Sequence, residues 1–130
     1  MVTHWTKIEP EEVVLKMNGE ELNHTDIPLG ESFELLAKNV RGLSAKDGKI
    51  SVGCSLSIKD KTGKSLLQEE DLFGGKGQFD VVKDQFLRCS IQTGAPMQWE
   101  EKYDVLVRFW DKNEPGEIVS SFTIRSIDIP

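Results

Sequence analysis

Ile50-Ser51-Val52-Gly53-Cys54-Ser55-Leu56-Ser57-Ile58 decides the fold. Five apolar residues alternate with four small or polar ones, which is the period of a strand that lays one face on a core. Wound into a helix, the same residues would scatter their apolar groups round every side, and the serines are poor helix formers. Directly downstream, Lys59-Asp60-Lys61-Thr62-Gly63-Lys64 combines an Asp able to bond its own backbone with a Gly free to take positive φ. Apolar residues resume at Ser65-Leu66-Leu67, so the whole stretch reads as a β-hairpin.

The pattern recurs. Lys102 to Trp110 alternates Tyr103, Val105, Val107 and Phe109 on one face. Asp111-Lys112-Asn113-Glu114-Pro115-Gly116-Glu117 follows, and Ile118, Ser120, Phe122 and Ile124 carry the return strand. Both segments run strand, Asp-Lys, polar insert, Gly, charged residue, strand. They form a faint internal echo and predict two equivalent hairpins in related places of two sheets. Upstream, Val13 to Met17 and Ser32 to Val40 read as strands, with turns at Asn18-Gly19 and Asp47-Gly48. Pro10-Glu11-Glu12 could open a helix, but the β-branched Val13 and Val14 and the early Asn-Gly favour a strand. Gly74-Gly75-Lys76-Gly77 reads as a flexible loop, Gln85 to Ile91 as a further strand, and Gly94-Ala95-Pro96 as its end.

About seven short strands with Gly, Asn and Pro turns, and no long helix, predict an all-β, single-domain antiparallel β-sandwich. In strand number and rhythm, residues 12 to 127 resemble immunoglobulin-like sandwiches, in architecture only. The family's cysteine and tryptophan signature is missing: Cys54 and Cys89 have no Trp between them, and Trp99 and Trp110 follow both. The expected organisation is an N-terminal arm, 1–11, and a sandwich domain, 12–130.

At 130 residues the chain can bury one core unaided. With 38% hydrophobic and 29% charged residues it has the composition of an ordinary water-soluble protein. No apolar run nears the roughly 18 residues of a membrane span. Met1 to Pro10 lacks the apolar core and cleavage site of a secretory signal, so the chain as it stands reads as cytoplasmic, or as periplasmic or extracellular if a signal has been removed. Two cysteines make no disulfide framework. They read as buried free thiols or, alternatively, as a single bridge that would argue for an oxidising compartment.

The net charge of −6 lies entirely in residues 1–35, where eight acids face two lysines, whereas Lys38 to Lys64 holds seven bases against Asp47 and Asp60. That asymmetry could steer a partner or a second copy, or be no more than a solvated surface. The acidic balance and the lack of aromatics among the bases disfavour nucleic acid.

No motif carries catalysis. Asp47, Asp60, Asp104 and Asp111 raise the question of calcium, but lysines flank them, no Asp-x-Asp occurs, and such residues commonly form turns. The two histidines, His4 near a loose terminus and His24 in a loop, stand by no nucleophile elbow. Glu69-Glu70 and Glu100-Glu101 are adjacent acids of the kind usually found on surfaces. The Gly74–Gly77 run lacks the Lys-Ser or Lys-Thr of a phosphate cradle. Asn23-His24-Thr25 fits a glycosylation sequon, a match frequent by chance. No enzyme activity, metal or cofactor is expected.

Surfaces remain. Opposite the core face of 102–110 stand Leu106, Arg108 and Trp110, and Trp99 lies just upstream beside Pro96 and Met97. If that second face is open, an aliphatic, an Arg and an aromatic make a contact patch that Trp99 could extend. The expected role is a non-catalytic interaction module that binds a protein partner or self-associates through a sandwich face or edge. The alternative is a carbohydrate-binding module stacking sugars on exposed tryptophans.

Overall fold

The strand at Ile50 extends further than its alternation: in a computed structural model describing residues 1–82 and 85–128, it runs Lys49–Asp60. Eleven strands are assigned among those residues: β1 (Val2–Thr6), β2 (Glu12–Met17), β3 (Glu20–Glu21), β4 (Asp26–Pro28), β5 (Ser32–Lys38), β6 (Lys49–Asp60), β7 (Ser65–Glu69), β8 (Gln78–Asp80), β9 (Leu87–Gln92), β10 (Lys102–Asp111) and β11 (Glu117–Ile127). The large sheet has the order β1-β11-β10-β6-β7, with β4 added to β11 and β8 to β6, and the small sheet is β3-β2-β5-β9. The chain is a β-sandwich. No helix among the described residues is long and apolar enough to cross a membrane.

Alternation places the core. Ile50, Val52, Cys54, Leu56 and Ile58 of β6 are buried, as are Tyr103, Val105, Val107 and Phe109 of β10 and Ile118, Phe122 and Ile124 of β11. Opposite them the small sheet contributes Leu15, Phe33, Leu35, Leu87, Cys89 and Ile91 to the same apolar cluster. Phe33 and Phe122 meet edge to face across the layers, with ring centroids 6.2 Å apart.

The seven strands read from the sequence correspond to β2, β5, β6, β7, β9, β10 and β11. Asn18-Gly19 and Asp47-Gly48 both sit at positive φ (53° and 80°; 55° and 75°), the backbone that tight hairpin turns require. Three details differ from expectation. The two Asp-Lys hairpins form, but β7-β6 and β10-β11 lie in the one large sheet, joined where β6 pairs with β10. β4 runs parallel to β11, with Asp26, Ile27 and Pro28 opposite Arg125, Ser126 and Ile127. The supposed arm, 1–11, belongs to the sandwich: β1 pairs with β11, Ile8 is in the core and Glu9 bridges to Arg41. The other domain limit, residue 130, lies outside the described residues.

The free cysteines are buried on opposing sheets. The Cys54 thiol, hydrogen-bonded to Cys89 and cut off from water, is held protonated far above the ordinary thiol range.

Candidate functional site

The path of β10 fixes which of its faces meets solvent. Its odd-numbered residues from Tyr103 to Phe109 turn inward, so Asp104, Leu106, Arg108 and Trp110 lie on the outer face of the large sheet. Directly paired antiparallel residues share a face. Leu106 therefore stands between Ser57 and Ser121, Arg108 between Ser55 and Val119, and Trp110 between Gly53 and Glu117.

Leu106 is 45% exposed, whereas Arg108 and Trp110 are half-buried. The Trp110 ring lies against β6 at Gly53. A Cβ added at Gly53 would come within 2.1 to 2.6 Å of its Cζ2, Cε2 and Cη2 atoms, so the ring occupies the space that only a glycine leaves. The Arg108 guanidinium carbon is 4.7 Å from the Trp110 ring centroid, within cation–π range, and its Nε donates to the Glu117 carboxylate. These three side chains contact one another on the open face.

Beside them the face is hollow. Small Ser57 and Ser121 flank the larger Leu106, and the resulting depression of about 500 Å³ is bounded by Met1 and Val2 on one side and Lys59 on the other. Asp104 and Thr123 close one end, where the Thr123 hydroxyl donates to Asp104 Oδ1 at 2.8 Å. Alternation separates the faces of β10, but a depression shared by several strands needs the pairing register, which the sequence does not carry locally.

Trp99 does not extend this patch. It is 58% exposed and borders a separate hollow of about 410 Å³ with Met17, Asn18, Leu29 and Ile127. It precedes the start of β10, whereas Trp110 lies near its other end, so the strand alone separates them by about 26 Å at 3.3 Å per residue.

The remaining candidate groups take structural parts. Asp60 Oδ1 accepts from Thr62 N at 2.9 Å and from Lys64 N at 3.0 Å, and these bonds, after the Thr62 hydroxyl, hold its carboxyl below the usual range. Asp111 accepts from Ser44 N at 2.8 Å and Asn113 N at 2.9 Å, so both aspartates tie turns. Glu101 pairs with Lys61 at 3.0 Å and Glu100 with Arg125 at 3.5 Å. His24 Nδ1 accepts from Asp26 N at 3.3 Å, while His4 is exposed on β1. Among the described residues, no three His, Cys, Asp or Glu gather as a metal would require.

No protein-family model matches the chain, and a search of curated proteins finds no match. Among solved structures it is similar to the crystal structure of the C-terminal domain of Wzt, with a TM-score of 0.60 over 98% of this chain and 80% of that one, at 9% identity. A likeness at that identity concerns the fold alone.

Proposed function

We propose that this chain is a non-catalytic interaction module that binds protein, a partner or a second copy of itself, and that the outer face of β10 is its contact surface. The observation that carries the reading is the open Leu106 beside the interacting Arg108–Trp110–Glu117 group. Apolar, aromatic and Arg side chains held in place without a covering element are the usual anchors of protein recognition. A Leu106→Asp variant keeps its fold, because the residue is on the surface, and loses capture of a protein partner. The check is capture of a bound protein by wild type and variant, with circular dichroism to confirm that both are folded. Equal capture by the two would refute the face. Trp110→Ala also weakens association, but it lowers the melting point as well, since the ring packs on β6.

The hollow itself favours a second reading, binding of a carbohydrate. Hydroxyls from Ser57, Ser121 and Thr123, with Asp104 and Lys59 near an apolar Leu106, match a ligand that combines hydroxyl groups with C–H faces. Stacking on tryptophan would suit Trp99, which is open but borders the separate hollow, better than Trp110, which lies between Gly53 and Arg108, so a sugar in this hollow would lay its C–H face on Leu106. A glycan array without signal, together with tryptophan fluorescence unchanged by sugars, would remove this reading.

A further inference from the structure

A strand at the border of a sheet presents unpaired backbone N–H and C=O groups, and proteins usually guard such borders with charge, proline, a bulge or brevity. Among the described strands, the borders of this sandwich follow the rule with one exception. β3 is two glutamates, β4 contains Asp26 and Pro28, β7 ends in Glu69 and has a register shift against β6, β8 contains Asp80, and β9 carries Arg88. β1, Val2-Thr3-His4-Trp5-Thr6, has no Asp, Glu, Lys, Arg or Pro. Among the described strands it pairs with β11 alone. Exposed apolar groups also collect there: Val2 is 66% and Trp5 44% exposed, next to Met1.

We infer that β1 is a self-association edge, and that a second copy of this chain pairs antiparallel with it to continue the large sheet. This rests on the interaction-module reading but uses the edge, not the β10 face. Geometry restricts the register. A two-fold axis perpendicular to the sheet keeps inner residues opposite inner residues, so it must pass beside a residue and not between two. Thr3 and Trp5 share the inner face with Ser120 and Ile118, while Val2, His4 and Thr6 share the outer face. Placing the axis at His4 uses all five residues: Val2 meets the second copy's Thr6, Thr3 meets its Trp5, and His4 meets its own mate. The first two pairings join β-branched and aromatic side chains of the kind that stabilise neighbouring strands. No like-signed charges oppose each other along the strand. A second copy thus supplies the complementary edge with no further partner required.

Sedimentation equilibrium of the intact chain, in a concentration series reaching about 1 mM, tests this. Wild type should move from 14.6 kDa toward twice that mass. His4→Lys puts two ammonium groups face to face and should stay at the single mass. Mixing His4→Lys with His4→Glu should restore the doubled mass, which a merely destabilised fold would not do. Leu106→Asp should leave doubling intact, so failure of the β10-face reading is distinguishable from failure of this one. Wild type remaining at the single mass, His4→Lys doubling as wild type does, or a mixture that fails to recover would overturn the proposal. So would loss of doubling in Leu106→Asp with His4→Lys unaffected, because the copies would then meet through the face.

Discussion

Gly53 shows how one residue can set a surface. It lies within β6, where a glycine ordinarily weakens a strand, and it permits the Trp110 ring to rest on the backbone. Its φ is not in the left-handed region, so Gly53→Ala is opposed by space alone. The added methyl must lift the ring, costing roughly 1–3 kcal/mol as overpacking. The melting point should fall by roughly 3–5 °C per kcal/mol for a domain of this size. If the collision with Trp110 is the cause, Gly53→Ala should cost much less on a Trp110→Ala background. Additive losses in that double-mutant cycle would show that the methyl meets something else. The outward placement of Leu106, Arg108 and Trp110 was legible from alternation along β10. The ring's seat was not, because it depends on a glycine 57 positions away in sequence that only strand pairing brings alongside.

At the scale of elements, the Gly-rich segment proves to be anchored. β6 pairs with β8 over residues 49–51 and with β7 from residue 56, leaving the edge of residues 52–55 between them. The 71–77 segment fills that gap: Val52 N donates to Gly77 O at 2.8 Å, Leu72 N to Cys54 O at 2.6 Å, and Cys54 N to Asp71 Oδ1 at 3.1 Å. Gly77 is required because a Cβ there would sit 2.1 Å from Val52 O. Lys112 Nζ, 2.6 Å from Asp71 Oδ2, ties the segment to the β10–β11 hairpin. Partial burial works to raise the Asp71 pKa, but Lys112 and the backbone N–H groups overcome it and hold the carboxyl below its ordinary value. A carboxyl depressed in the folded state contributes stability that is complete above its unfolded pKa, about 3.9, and lost as pH falls through the folded value. Asp71→Asn should therefore destabilise the protein at neutral pH by about 1.5–3 kcal/mol, the range for a hydrogen bond to a charged group. It should also flatten the acid limb of a plot of melting temperature against pH. An unchanged acid limb would show that other carboxylates set it. The turns at Asn18-Gly19 and Asp47-Gly48 were readable because a dipeptide suited to positive φ is a local signal. β3, β4 and β8 were not readable, since strands of two or three residues exist only through their neighbours' hydrogen bonds.

For the whole molecule, the same distinction separates class from assembly. Periodicity gave a sandwich, but not that the two similar hairpins share a sheet or that β1 forms its border, because both are decided by pairings distant in sequence. The charge asymmetry is likewise altered by folding: Lys38 of β5 meets Glu12 of β2 at 3.2 Å and also Glu21 of β3, joining the basic stretch to the acidic one. A single core between the sheets implies that the layers part together or not at all, and the cysteines provide a probe on each side. Cys54 hangs from β6 in the large sheet and Cys89 from β9 in the small one, both buried in the same cluster. Thiol reagents attack the thiolate. The Cys54 thiol is kept protonated by its bond to Cys89 and by burial, and although the same bond lowers the Cys89 pKa, both cysteines are shut off from solvent, so the native protein should be inert to such a reagent at mildly alkaline pH. With increasing denaturant both thiols should become reactive at the midpoint where far-ultraviolet circular dichroism is lost, as coincident probes of one cooperative transition. Exposure of both before strand content falls would mean that the layers separate while their sheets persist. Labelling of one thiol first would place the weaker packing around that cysteine's own strand.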